Sequence, residues 1–385
     1  MSGLKIIADA NMRGVEAVFQ PYGEVHLVEG RSLRRQDLQG ADVLLVRSVT
    51  SVDSELLRGT GVRFVGTATS GLEHVDGHYL AEQGIRFAHA RGSNANAVVE
   101  YDLAAIAACD DYLERLLDGG VLGIVGQGHV GAALARCARA LGIRIRCHDP
   151  WLESVEDQAD LAAVLAADVI CLHPELTRRK PHPSYHLLNA DRLAQVSGDS
   201  LLINTSRGAV VDNAALCERL QQGRGPACVL DVWEHEPHLQ PGLLEQVRLG
   251  TPHIAGHSLD AKLEGTRMLG AALATAFDLA PPGVPREAGG APTLSAPQEL
   301  AGSALLRWLL SARYDIGADD AALRHAVTGP GTAATPAAVA AAFDDLRRHY
   351  PQRRELRGSP VCAPSAPEAW ASALGYQPVA AESTR

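Results

Sequence analysis

The 385-residue chain has no C-x-x-C pair, no uncharged apolar run of membrane-spanning length and no excess of positive charge. Its seven cysteines (Cys109, Cys137, Cys147, Cys171, Cys217, Cys228 and Cys362) are odd in number and scattered. That spacing excludes a disulfide framework and suits reduced thiols in a cytoplasmic protein. The missing apolar run excludes a helical membrane protein, and the opening MSGLKIIADA enters a strand pattern directly, with no secretory leader. A net charge of −10 argues against nucleic acid or an anionic membrane as the main partner. It leaves room for an anionic small molecule held by a local arginine pocket. Internal repeats are absent too.

What is present is ordinary globular composition, 46% hydrophobic and 21% charged, with length enough for two or three domains. Segments 4–8, 25–28, 43–46, 64–65 and 85–88 read as strands, with helical or polar stretches at 12–19, 34–38 and 54–57 between them. This is a βα repeat, which implies a mostly parallel sheet. Polar stretches follow two of its strands: Arg47-Ser48-Val49-Thr50 and Thr67-Ala68-Thr69-Ser70-Gly71. Ligands gather at such strand ends in open α/β sheets. The stretch 92–101 then leads a long helix to about 117, capped by Asn94 or Asn96.

The central stretch VLGIVGQGHVG (121–131) is a buried strand, a glycine turn and a helix start. Gly126, Gly128 and Gly131 have the spacing of a dinucleotide-binding fingerprint, with Gln127 and Val130 inside it. The second strand, 143–148, ends at Asp149, 18 residues beyond Gly131, where a carboxylate can hold a ribose 2′-hydroxyl. That favours NAD, while Arg144 and Arg146 leave NADP open. Four more strands follow, at 169–173, 200–204, 227–231 and 247–249. A helix is expected at 258–279, a Pro/Gly/Ala-rich linker at 281–297, and helices at 299–310 and 334–348.

Three polar stretches sit at the later strand ends: INTSRGAVVDNAAL with Arg207, LDVWEHEP with Asp231 and Glu236, and TPHIAGH with His253 and His257. An arginine can hold a carboxylate bidentately. A histidine can take a hydroxyl proton, and a glutamate can fix that histidine's tautomer. A metal site of His235, His238, His253 and His257 is the weaker alternative, because H-x-x-H here lies in a Pro-containing loop. A sensor that binds NAD without turnover is the alternative from another class.

On GIVGQGHVG, LINTSRGAVVDNAAL, LDVWEHEP and TPHIAG, the chain resembles the D-2-hydroxyacid dehydrogenase family. The steps of 29 residues from Arg207 to Glu236 and 17 to His253 suit that family's catalytic triad. One branch, acting on a phosphorylated hydroxy acid, is matched further by VRSVT (46–50), GTATSGLEHVD (66–76), GSNANAVVEY (92–101) and HYPQRREL (349–356). The resemblance implies an α/β fold: two doubly wound parallel-sheet domains, one flavodoxin-like and one Rossmann, plus a small C-terminal α+β dimerisation domain. The substrate domain would comprise 1–98 with 257–282, the NAD-binding domain 99–256, the linker 283–297 and the dimerisation domain 298–385. Arg207, Glu236 and His253 fall on catalytic positions. Asp149, Pro174, Thr205, Ser206, Asp231 and Gly256 join the fingerprint as cofactor-binding positions. Arg47, Ser48, Thr69 and His257 fall on substrate positions, Arg353 or Arg354 would reach a phosphate, and no metal is implied. The implied partners are a small phosphorylated hydroxy acid and a second copy of the chain.

Two departures from the family pattern stand out. His173-Pro174-Glu175-Leu176 lacks the hydroxyl of the usual His-Thr-Pro-Leu, and His257 replaces a tyrosine.

Overall fold

The computed structural model describes residues 3–69, 71–283, 291–329 and 335–380. The chain divides into two compact units, 1–94 with 258–290 and 95–257 with 291–385.

The first unit is built on five parallel strands: β1 (Leu4–Asp9), β2 (Gly23–Val28), β3 (Val43–Val46), β4 (Phe64–Thr67) and β5 (Arg86–His89). Their order is β2-β1-β3-β4-β5, the flavodoxin-like arrangement. All four residues of β3 and of β4 are buried, as continuous apolar strands covered on both faces must be. One face packs Ile6, Val43, Leu45 and Phe64 against Leu269 and Leu273. The other packs Ile7, Leu44 and Val65 against Leu38, Leu57 and Leu80. The helix supplying Leu269 and Leu273, Leu259–Phe277, begins where Ser258 Oγ caps the N–H of Ala261 at 2.9 Å. The helical or polar stretch read at 34–38 forms a 3-10 turn, Arg35–Leu38.

The second unit carries β6 (Val121–Val125), β7 (Arg144–His148), β8 (Val169–Leu172), β9 (Leu201–Asn204), β10 (Ala227–Leu230) and β11 (Leu249–Gly250). All are parallel, in the order β11-β10-β9-β8-β6-β7. The chain reverses its direction of winding between β6 and β8, so the crevice at their carboxyl ends is the place where this topology binds ligands.

One long helix to 117 was expected; there are two, Ala95–Ala108 and Tyr112–Leu117. The break falls at Asp110, whose φ is 37°. Adjacent carboxylates Asp110 and Asp111 oppose the negative end of a helix dipole, and Asp110 instead pairs with Arg248.

The last block is more structured than its Ala/Pro-rich composition suggests. Helices Gly302–Ala312, Ile316–Thr328, Pro336–Arg348 and Glu368–Leu374 accompany three short parallel strands, β12 (Leu294–Ser295), β13 (Pro360–Cys362) and β14 (Gln377–Pro378). Part of the expected linker is therefore a strand, because Leu294 and Ser295 pair with Val361 and Cys362. Residues 284–290 of that linker lie outside the described residues. Leu305, Leu306 and Leu309 share a core with Ile106 and Leu113, and Leu323, Val327 and Phe343 share one with Trp233 and Leu244. The helices Ile316–Thr328 and Glu368–Leu374 were not apparent from the sequence. Their apolar positions are spaced by alanine, which weakens the periodic signal.

Candidate active site at the strand ends of the nucleotide-binding unit

The glycine turn after β6 is shaped by what glycine alone permits. Gly126 has φ 90°, and a Cβ there would stand 2.6 Å from the nitrogen of Pro174. The fingerprint turn thus abuts the end of β8 at the switch point. Gly131 brings the helix onto the strand: a Cβ there would be 1.9 Å from Gly126 O. The helix His129–Ala140 starts with Gly128 at its N-cap, exposed and with no side-chain cap, while Val130 packs against the core. A Cβ at Gly128 would meet nothing within 4 Å. Uncapped N–H groups and open space at a helix N-terminus fit a pyrophosphate.

At the end of β7, Asp149 accepts the N–H of Gln127 on Oδ2 at 2.8 Å and that of Trp151 on Oδ1 at 3.0 Å. Arg144 and Arg146 turn elsewhere, to the carbonyls of Gly119 and Ala163. The residues present fit a dinucleotide with an unphosphorylated 2′-hydroxyl. Of the other expected cofactor positions, the Thr205 hydroxyl donates to Asp102 at 3.1 Å and that of Ser206 to Asn204 Oδ1 at 2.8 Å.

His253 Nδ1 lies 2.7 Å from Glu236 Oε2, while Glu236 Oε1 accepts the Trp233 N–H at 2.7 Å. Burial works to raise the Glu236 pKa, but His253 and the Trp233 N–H outweigh it, and the carboxyl is held below its usual range. With Nδ1 so bonded, Nε2 of the part-exposed ring is the nitrogen left for proton exchange. The arrangement is that of a histidine base oriented by a carboxylate.

Arg207 lies three residues beyond β9, in extended backbone. The following Gly208 lies against the main chain of Trp233, where a Cβ would stand 1.9 Å from the carbonyl carbon. The Glu234 N–H donates to Asn213 Oδ1 at 3.0 Å and the Asn213 N–H to Glu234 Oε2 at 3.3 Å. The segment bearing Arg207 is therefore locked to the one bearing Glu236.

Asp231 organises the base loop. It is 1% exposed, and burial raises its pKa against the pull of His253 and its donors. Oδ1 accepts from Thr251 Oγ1 at 2.6 Å and Ile254 N at 2.7 Å, and Oδ2 from Ala255 N at 3.0 Å. The Asp231 carbonyl accepts the His253 N–H at 2.7 Å. Gly256 follows directly, and His257 meets the Tyr350 ring edge-on at 6.1 Å between centroids.

The alternative of a four-histidine metal site finds no support, since His253 is engaged by Glu236 and His257 packs on Tyr350. Among the described residues, metal-like clusters fall instead on Asp102/Cys171/His173 and His186/Asp212/Glu234.

In the first unit, Arg47 Nε lies 3.1 Å from the buried Asp9 carboxylate, and Ser48 is exposed. The Thr69 hydroxyl donates to Gly71 O at 2.9 Å and meets the Thr67 hydroxyl at 2.9 Å. Burial lowers the pKa of His74, which bonds Thr67.

Arg353 corrects the expectation of a phosphate contact: it is buried and bonds the carbonyls of Ala255 and Ala97. The contact of His173 Nε2 with Asp102 Oδ2, 3.2 Å apart and buried, was not apparent from the sequence. Its one sequence signal was a second carboxylate, two places after Glu100, in the otherwise apolar helix 95–108.

Fold and site together define a nicotinamide-dependent dehydrogenase. Residues 95–255 match the family described as D-isomer specific 2-hydroxyacid dehydrogenase, NAD binding domain, and residues 291–375 match a domain of unknown function, DUF3410. A protein of Cellvibrio japonicus named erythronate-4-phosphate dehydrogenase is 41% identical, covering 97% of this chain and 100% of its own. One of the same name from Marinobacter nauticus is 44% identical, covering 91% and 92%. The chain belongs to the erythronate-4-phosphate dehydrogenase family. Among solved structures, a Thermus thermophilus protein aligns with a TM-score of 0.61 at 26% identity, covering 72% of this chain and 99% of that one. An Aquifex aeolicus D-lactate dehydrogenase complexed with NAD and lactic acid aligns at 0.56 and 22% identity, covering 71% and 95%.

Proposed function

We propose that the chain oxidises 4-phospho-D-erythronate at C2 to (R)-3-hydroxy-2-oxo-4-phosphooxybutanoate, a step of pyridoxal 5′-phosphate synthesis. NAD, when bound, supplies the acceptor for the C2 hydride. The observation that carries the reading is the 2.7 Å contact of His253 Nδ1 with Glu236 Oε2. It leaves His253 Nε2 to take the C2 hydroxyl proton, and the ionised Glu236 stabilises the imidazolium that results. Arg207 holds the substrate carboxylate through its planar donor fork and so orients C2. The Asp231-held turn keeps His253 in place.

Arg47, Ser48, Thr69 and His257 are proposed for the rest of the substrate, with Arg354 as a further phosphate cation. Asp149 holds the adenosine ribose and Pro174 offers backbone and apolar surface. Homodimeric assembly and a cytoplasmic location complete the proposal. The seven unpaired cysteines suit that location.

The test is a panel of phosphorylated and plain D-2-hydroxy acids with NADH absorbance as readout. Turnover should be fastest with 4-phospho-D-erythronate. Preference for another hydroxy acid overturns the substrate assignment. NAD binding without turnover on any of them makes the chain a sensor instead.

A further inference from the structure

We propose that Arg353 is a positioning residue for the base loop: a cation from the C-terminal block that holds residues 253–257 in the geometry proton transfer needs. The inference rests on the reading of His253 as the base.

The segment carrying Arg353 joins the helix Pro336–Arg348 to β13. In a basic run, HYPQRREL, an arginine ordinarily stays in solvent. Arg353 is instead 8% exposed. Its Nη2 donates to Ala255 O at 2.5 Å and to Ala97 O at 3.3 Å. Its guanidinium carbon lies 4.1 Å from the centre of the Tyr314 ring. Its Nη1 is buried without a hydrogen-bond partner. Burying a guanidinium with one nitrogen unmatched is costly, and an apolar side chain could cover Tyr314 without that cost. What an apolar side chain could not do is donate to the Ala255 carbonyl.

Ala255 is the midpoint of the loop. Its N–H donates to Asp231 and its C=O accepts from Arg353, so its backbone is clamped on both sides. A second path reaches the same carboxylate. Tyr314 lies against Tyr101 with centroids 5.8 Å apart, the Tyr101 hydroxyl is 2.6 Å from Thr251 Oγ1, and Thr251 bonds Asp231. Arg353 thus closes a ring of contacts around Asp231. The loop needs such restraint because His253 has φ 56°, left-handed backbone that a non-glycine residue keeps only where its surroundings enforce it.

Arg353→Met and Arg353→Lys, made in the full chain, test this. Hydrogen–deuterium exchange of the 253–257 amides reads the loop, and steady-state kinetics with NAD and 4-phospho-D-erythronate reads its consequence. In Arg353→Met, exchange at 254 and 255 should rise. Displacing a base by about an ångström lowers kcat by about a hundredfold, and KM for the hydroxy acid should stay near the wild-type value. Lysine retains charge and can reach one carbonyl, so it should recover part of both losses. Wild-type exchange in folded Arg353→Met overturns the proposal. So does an unchanged kcat with a raised hydroxy-acid KM, which would make Arg353 a substrate contact. If the methionine variant does not fold, the lysine variant decides: partial loss of protection and of kcat supports the proposal, and wild-type values for both overturn it. A wild-type chain inactive on the hydroxy acid would sink the substrate assignment, yet the exchange result would still answer whether Arg353 holds the loop.

Discussion

Asp149 Oδ2 accepts the backbone N–H of Gln127 at 2.8 Å, so the carboxylate just after β7 also clamps the glycine turn after β6. A carboxylate fixed there accepts from a ribose 2′-hydroxyl and repels a 2′-phosphate. Asp149→Asn should raise KM for NAD by about tenfold, the worth of one charge-assisted hydrogen bond, with kcat little changed. It should also narrow the preference for NAD over NADP. Steady-state rates with both cofactors check this; an unaltered NAD KM would separate Asp149 from the ribose.

The His253–Glu236 pair makes a prediction in pH. Glu236 titrates below the usual 4.5 because His253 and the Trp233 N–H favour its ionised form over the opposing effect of burial. A depressed carboxyl contributes stability above its unfolded pKa and loses it as pH falls through the folded value. Wild-type melting temperature should therefore exceed that of Glu236→Gln most at neutral pH, and the gap should shrink below about 4.5. Melting curves from neutral to acid pH check the sign. Glu236→Gln and His253→Ala should each also reduce kcat by about a hundredfold or more, with NADH binding retained.

Glu100 predicts the opposite slope. Burial, reinforced by the Glu355 charge, pushes its pKa from 4.5 up to about 8, although the N–H groups of Leu356 and Arg357 favour ionisation. A raised carboxyl costs stability as pH climbs above its unfolded pKa, and the cost is complete near the folded value. The wild-type melting temperature, relative to Glu100→Gln, should fall steadily between pH 4.5 and 8. A difference independent of pH in that window would show that Glu100 titrates normally.

Gly131 tests the turn itself. A methyl group there would sit 1.9 Å from Gly126 O, and because that neighbour is main chain it has little room to move. Gly131→Ala should cost about 1–3 kcal/mol, the range for overpacking a tight site, and should weaken NADH binding through the distorted phosphate turn. Thermal melting with NADH fluorescence titration reads both effects. A variant with wild-type melting and binding would mean the helix shifts freely on β6.

Much of the site was legible because its residues cluster beside recognisable strand ends. The fingerprint glycines, Asp149, Arg207, Glu236 and His253 each follow a short apolar run, and parallel α/β topology brings such ends to one rim. The helix break at Asp110 was not legible, since it depends on a distant partner, Arg248. Nor was the burial of Arg353, because a basic run reads as surface until packing shows which member faces inward.

By itself, the sequence determined the alternation of strands and helices, the glycine turn and the candidate proton-handling residues. These follow from local patterns: periodicity, turn chemistry and donor type within a few residues. Tertiary structure alone decided what holds the base. The left-handed turn at His253 persists through Asp231, Thr251, Tyr101, Tyr314 and Arg353, spread across some 250 positions of chain. Contacts at such separations are set by packing, and no local pattern in the chain records them.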